Sequence, residues 1–361
     1  MTIRDYIKKY GNKTFKEVEF NNVDNCLFSY LAYLNLYDIV SSSSINKISL
    51  GDVGKKFFKK YTTKQLKFNI VAVNTAIELF KEMYNSPRYK DILLYNYVYA
   101  SDDEDLQFSA LFIDYTEKNT YIAFEGTDAL ISGWREDFEL SYTFPIKSHI
   151  LAVNYINQKI PFFSPREYIL GGHSKGGNLA LVSGMYCKKS RQKKIIRIMS
   201  NDGPGLAEKE MYSKEFKEIA SRYQLIVPDQ SIVGLILKQP ANYFVVKSTK
   251  KGLIAHNIIN WVVYDTDFKE STLSDFSNAL DDTIDLWLDT FNIEERRDFV
   301  NNFFDIFKRL NILSILDLKE KKLTSFIRII KETKNINKKS RDMMLMFIKI
   351  FASSIKIDFL K

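Results

Sequence analysis

Apolar positions recur at helical spacing early in the chain. Cys26, Leu27, Tyr30, Leu31 and Leu34 share one face, and Asn22 or Asp24 suits the cap of a helix starting near Val23. A second helix is expected from Thr63 to Met83, with Leu66, Ile70, Val73, Ala76, Ile77 and Phe80 on its buried side. The period changes at Leu93. Tyr95, Tyr97 and Tyr99 alternate, and two runs, Leu106–Asp114 and Thr120–Phe124, flank the polar turn Glu117-Lys118-Asn119, the pattern of a hairpin leading into a buried strand. Helices near 146–159, 175–189 and 208–222 then alternate with strands near 168–170, 195–199, 223–227 and 243–247. That alternation predicts βαβ units and a mostly parallel sheet. From Thr272 onward the pattern is helical again. Three parts follow: helices packed on the core (1–90), an α/β core (91–267) and a helical region (268–361).

The composition, 45% hydrophobic and 27% charged over 361 residues, is that of an ordinary folded protein. Only Cys26 and Cys187 are cysteines, which argues against a disulfide framework or a zinc cluster and for a reducing, cytoplasmic compartment. The opening residues lack the apolar stretch of a secretory signal, and no run of apolar residues is long enough to span a bilayer. The net charge of +8 is unevenly placed: residues 306–361 hold 14 Lys/Arg against 5 Asp/Glu, and residues 268–305 hold 3 against 10. The main body is thus nearly neutral, and with no basic block interleaved with aromatics, no nucleic-acid partner is expected. The basic end, with Met343, Met344, Met346 and Phe347 near it, suits packing against the preceding helix Leu318–Lys331; peripheral contact with a membrane through this end is the alternative.

The candidate chemistry centres on Gly171-Gly172-His173-Ser174-Lys175-Gly176-Gly177-Asn178. Gly172, Ser174 and Gly176 form G-x-S-x-G between a strand and a helix, where a serine on a tight turn is presented for attack and the glycines let the helix pack on the strand. Such a serine needs a histidine base oriented by a carboxylate. Among three histidines, His149 falls inside a helix and His173 is expected to point away from the serine hydroxyl, which leaves His256. Asp229 and Asp202 both end strands between the serine and the histidine. Asp229 is favoured, with Asp202 as the alternate acid, because an aspartate in Asn201-Asp202-Gly203 ordinarily shapes a turn. The oxyanion would be held by the Lys175 backbone N–H and by Thr127, where Gly126 permits close approach. No metal or cofactor is called for.

Together these stretches, with Phe20–Asn25, Gly133–Phe138 and Asp229–Gly234, give a sequence that resembles the class 3 (fungal-type) lipase branch of the α/β-hydrolases, and more closely a group of bacterial lipase-like α/β-hydrolases of unknown substrate. The resemblance implies an α/β-hydrolase fold with extra N-terminal helices and a C-terminal helical region. It implies Ser174, Asp229 and His256 as triad, Thr127 as oxyanion threonine and Asp137, after Trp134, as support for the oxyanion loop. Glu125 departs from the arginine usual there, and no apolar lid is evident between Gly126 and the nucleophile. The implied activity is serine hydrolysis of an acyl ester, lipid or thioester; the competing reading is a catalytically silent relative that binds a partner or membrane surface.

Overall fold

A computed structural model describes residues 1–62, 71–101, 106–127, 131–240, 242–310 and 328–354. Eight strands form one sheet in sequential order: β1 (Ile48–Ser49), β2 (Leu93–Ser101), β3 (Gln107–Asp114), β4 (Asn119–Phe124), β5 (Glu167–His173), β6 (Ile195–Asn201), β7 (Tyr223–Pro228) and β8 (Phe244–Val246). β1 to β4 run antiparallel and β4 to β8 parallel.

Sequential parallel strands joined by right-handed crossovers place every connecting helix on the same face. Here α6 (Lys147–Lys159) and α7 (Lys175–Tyr186) occupy that face, covering Ile122, Phe124, Leu170 and Ile198. The opposite face, bearing Tyr121, Ala123, Ile169, Met199 and Ile226, would be left in water. It is covered instead by α1 (Ile3–Tyr10), α2 (Asn22–Leu31), α3 (Leu50–Lys60) and α4 (Val71–Met83). The N-terminal residues thus supply the layer that the crossovers cannot.

α2 is capped by Asn21 rather than by Asn22 or Asp24. The Asn21 side chain accepts from the amides of Val23 and Asp24, and Asp24 bonds back to the Asn21 amide. Asp24 is also ion-paired with the fully buried Arg88. Of the expected helix Thr63–Met83, residues 71–83 are helical, and 63–70 lie outside the described residues. The expected helix 208–222 is three short pieces, α9 (Glu208–Met211), α10 (Lys214–Lys217) and a 3₁₀ turn Ala220–Arg222, beyond the four-residue α8 (Lys189–Gln192).

The C-terminal region contributes α11 (Asp275–Thr290), α12 (Ile293–Arg309) and α13 (Lys338–Ser354). Trp287, Phe299, Phe303, Met343, Met344 and Phe347 form one apolar cluster with Phe138 of α5 (Ile131–Glu139) and with Ile232, Val233 and Ile236 of the loop after β7. Met343, Met344 and Phe347 of α13 are therefore spent on internal packing. The helix Leu318–Lys331 proposed as its partner falls mostly outside the described residues. No helix among the described residues is long and apolar enough to cross a membrane.

Candidate active site

The loops after β4, β6 and β8 meet at the turn between β5 and α7. Ser174 sits there with φ 59° and ψ −135°, a conformation that costs a non-glycine residue roughly 1–3 kcal/mol and persists only where packing enforces it. The enforcement is visible. A Cβ on Gly172 would fall 2.2 Å from the Gly176 carbonyl carbon, and one on Gly176 would fall 2.2 Å from the Phe124 carbonyl oxygen. The Ser174 amide also donates to the Asn201 carbonyl at 2.9 Å, pinning the turn to β6.

His256 lies on the loop after β8, and its Nδ1 is 2.7 Å from Oδ2 of Asp202. Asp202 itself takes φ 51°, a left-handed conformation that aspartate tolerates, at the end of β6. Its other oxygen accepts from the Ser231 hydroxyl at 2.5 Å and the Gly234 amide at 3.0 Å. Two donors on Oδ1 thus hold the carboxylate against the imidazole at Oδ2.

This corrects the expected pairing of Asp229 with His256. Asp229 is buried, but its Oδ2 accepts from Lys247 Nζ at 2.7 Å and its Oδ1 from the Ser248 amide at 3.0 Å. Its carbonyl accepts from the Ser274 amide. It ties β7 to the end of β8 and the start of α11. The reason is the path of the loop after β8, which returns past β7 to the serine turn, where the His256 carbonyl meets His173 Nε2 at 2.8 Å. β6 is the direct neighbour of β5, so its terminal loop borders that turn and Asp202 meets the imidazole there.

The loop after β4 approaches the same turn. A Cβ on Gly126 would lie 2.2 Å from the Tyr33 hydroxyl, 2.3 Å from the His173 carbonyl and 3.0 Å from the Ser174 Cβ, so only glycine fits. Next to it, the buried Thr127 hydroxyl has no hydrogen-bond partner among the described residues. The Lys175 amide opens α7, where the first amides have no intrahelical acceptor. The Lys175 side chain is buried and donates from Nζ to Glu136 Oε2 at 2.6 Å and the Gln107 carbonyl at 3.3 Å. Asp137 is buried beside this pair, and desolvation pushes its carboxyl up to about 8, with Lys175 pulling the other way. Glu125 accepts from Gln107 Nε2 at 3.1 Å.

The other histidines are structural neighbours of the turn. His149 Nε2 is 2.6 Å from Asn178 Oδ1, and burial pushes its imidazole down to about 4. His173 is enclosed by Tyr30, Tyr33 and the His256 loop, and burial holds it well below the usual histidine range. Sequence reasoning missed Tyr33, Glu136, Ser231 and Gly234. It also missed Asn25, whose side chain donates to Asn201 Oδ1 at 2.6 Å and so anchors α2 to the strand that carries Asp202. Asn25, Glu136, Ser231 and Gly234 lie in stretches that carry the resemblance, but their roles were not legible, because each acts through a contact distant in sequence. Among the described residues no group of three His, Cys, Asp or Glu could hold a metal ion.

A mostly parallel sheet with a strained serine between strand and helix, and an Asp–His pair on loops after later strands, defines an α/β-hydrolase fold. The Mbeg1-like family model matches residues 83–305, and the chain belongs to that family. The crystal structure of M37 lipase is similar with 16% identity over 60% of this chain and 70% of that one, at a TM-score of 0.36. The lipase from Rhizopus microsporus var. chinensis is similar with 15% identity over 73% of this chain and 88% of that one, at a TM-score of 0.35. No curated protein matches the chain.

Proposed function

We propose that the protein is a serine hydrolase that cleaves an acyl ester, lipid or thioester through an acyl-enzyme. The observation that carries this reading is the 2.7 Å contact between His256 and Asp202 on loops bordering the strained Ser174 turn. With Nδ1–H donated to Asp202, Nε2 keeps its lone pair and can take the proton of the Ser174 hydroxyl as Oγ attacks the acyl carbon. The oxyanion that develops is received by the Lys175 amide and by Thr127, whose hydroxyl has no hydrogen-bond partner among the described residues. His256 then protonates the leaving alcohol or thiol, and water attacks the acyl-enzyme by the reverse transfers. Asp202 replaces Asp229 as the acid in this assignment. Cys26 and Cys187, both free and buried, support a reducing, cytoplasmic setting.

The test is labelling by a serine-directed fluorophosphonate, with a panel of p-nitrophenyl esters and acyl thioesters of increasing chain length. Wild type is expected to label and turn over. Ser174→Ala should do neither while keeping its melting temperature. Labelling retained in Ser174→Ala would remove the nucleophile assignment; a wild type that neither labels nor hydrolyses would favour the silent binding module.

A further inference from the structure

The edge of the sheet opposite the site carries a surface of a different kind. The loop Ile160-Pro161-Phe162-Phe163-Ser164-Pro165 precedes β5, and Phe162 and Phe163 are 55% and 89% exposed. Their rings pack edge to face at 4.7 Å. Two prolines restrict the loop, so holding both rings in water-facing positions requires little further ordering when they become buried.

Bonded to this loop is the most basic stretch of the described residues, Lys188-Lys189-Ser190-Arg191-Gln192-Lys193-Lys194, which has no acidic member. Arg191 Nε donates to the Ile160 carbonyl at 3.1 Å, its guanidinium lies 5.5 Å from the Phe162 ring centre, and Lys194 Nζ donates to the Ser164 carbonyl. Lys189 is ion-paired with Glu218. Lys188 and Lys193 are exposed, with no side-chain ion pair or hydrogen bond among the described residues.

We propose that this amino edge of the sheet docks on an anionic lipid bilayer, with Phe162 and Phe163 entering the interface and Lys188, Arg191 and Lys193 meeting the phosphates. Adjacent exposed aromatics with clustered cations are what such an interface selects, each cation adding to the binding. A second copy of the chain is the poorer occupant, since like-charged faces would meet. The C-terminal helix α13 is the poorer anchor, since Met343, Met344 and Phe347 are buried in the protein. β5 spans seven residues between this edge and Ser174, about 20 Å. The docked protein would therefore hold its site facing away from the membrane that holds it, open to acyl substrates arriving from solution.

The experiment is co-sedimentation of the full chain with phosphatidylcholine vesicles with and without 30 mole per cent phosphatidylglycerol (roughly the anionic content that attracts polybasic segments). Binding only to the anionic vesicles, falling steeply with salt, is expected. Phe162→Ser/Phe163→Ser and Lys188→Glu/Lys193→Glu should each weaken it at least about tenfold. Both variants should keep the wild-type melting temperature and the wild-type extent of fluorophosphonate labelling, whatever that extent is. The proposal is overturned if the chain ignores anionic vesicles, if it binds neutral ones equally, or if both folded variants bind as wild type does. Retention of single-stranded RNA in place of vesicles, or a dimer that Phe162→Ser/Phe163→Ser dissolves without any vesicle binding, overturns it as well.

Discussion

His173 packs against His256 with ring centres 4.3 Å apart and planes tilted by 35°, and its Nε2 lies 2.8 Å from the His256 carbonyl oxygen. A carbonyl only accepts, so Nε2 carries the proton, and Nδ1 accepts from the Tyr33 hydroxyl at 2.9 Å. The residue beside the nucleophile thus holds the backbone of the proposed base. His173→Ala should lower kcat by about 10- to 100-fold with KM nearly unchanged, because displacement of the base by a fraction of an ångström weakens proton transfer without altering substrate binding. His173→Gln, which can still donate to the carbonyl, should recover part of the loss. Equal losses in both variants, or an effect on KM alone, would place His173 outside the positioning of His256.

The two aspartates should separate by kinetics. Asp202→Asn favours the wrong imidazole tautomer and should lower turnover by about 10⁴-fold, the figure known for the serine protease triad. Asp229→Asn loses the charge facing Lys247 but keeps an acceptor for the Ser248 amide, so its effect should fall on melting temperature, with turnover within about tenfold of wild type. His256→Ala combined with Asp202→Asn should be scarcely worse than His256→Ala alone. A crippled Asp229→Asn beside a mild Asp202→Asn would return the acid role to Asp229.

Asp137 links stability to pH. Its carboxyl is raised by burial to about 8, whereas in the unfolded chain it titrates near 4. Between those values the folded state holds a proton that the unfolded state has released, so this group makes stability fall as pH rises from about 4 to about 8. Asp137→Asn removes that dependence. Urea midpoints measured at pH 5 and pH 8 should drop less in the variant than in wild type. Parallel drops would show that Asp137 does not titrate in this window.

The C-terminal region should behave as part of the folded unit. Phe347 is buried against Phe138, Trp287 and Phe299, with ring centres 5.8–6.1 Å away. Phe347→Ala should cost about 3–5 kcal/mol, read as a lowered urea midpoint in a single transition. An unchanged midpoint would mean that α13 does not share the cluster.

The local features were legible because their causes are local. The G-x-S-x-G turn needs glycines on either side of a strained serine wherever a strand feeds a helix, so Gly172, Ser174 and Gly176 announce themselves. The two-residue alternation and the helical spacing mark strands and helices for the same reason. With three histidines in the chain, elimination reached His256. What remained depended on contacts between distant segments. Asp202 and Asp229 both end apolar strands, and only the path of the loop after β8, which folds back to the β5 turn beside the end of β6, brings His256 to Asp202. That the N-terminal helices pack on the core was legible, but not which face of the sheet they cover, since that arises from crossovers that all fall on the other face. The Met- and Phe-rich end of the chain reads as an apolar segment, and the Pro161–Pro165 loop carries two adjacent phenylalanines. Packing buries Met343, Met344 and Phe347 beneath Phe138 and Trp287 and leaves Phe162 and Phe163 in water, because exposure is a property of neighbours that the linear pattern does not contain.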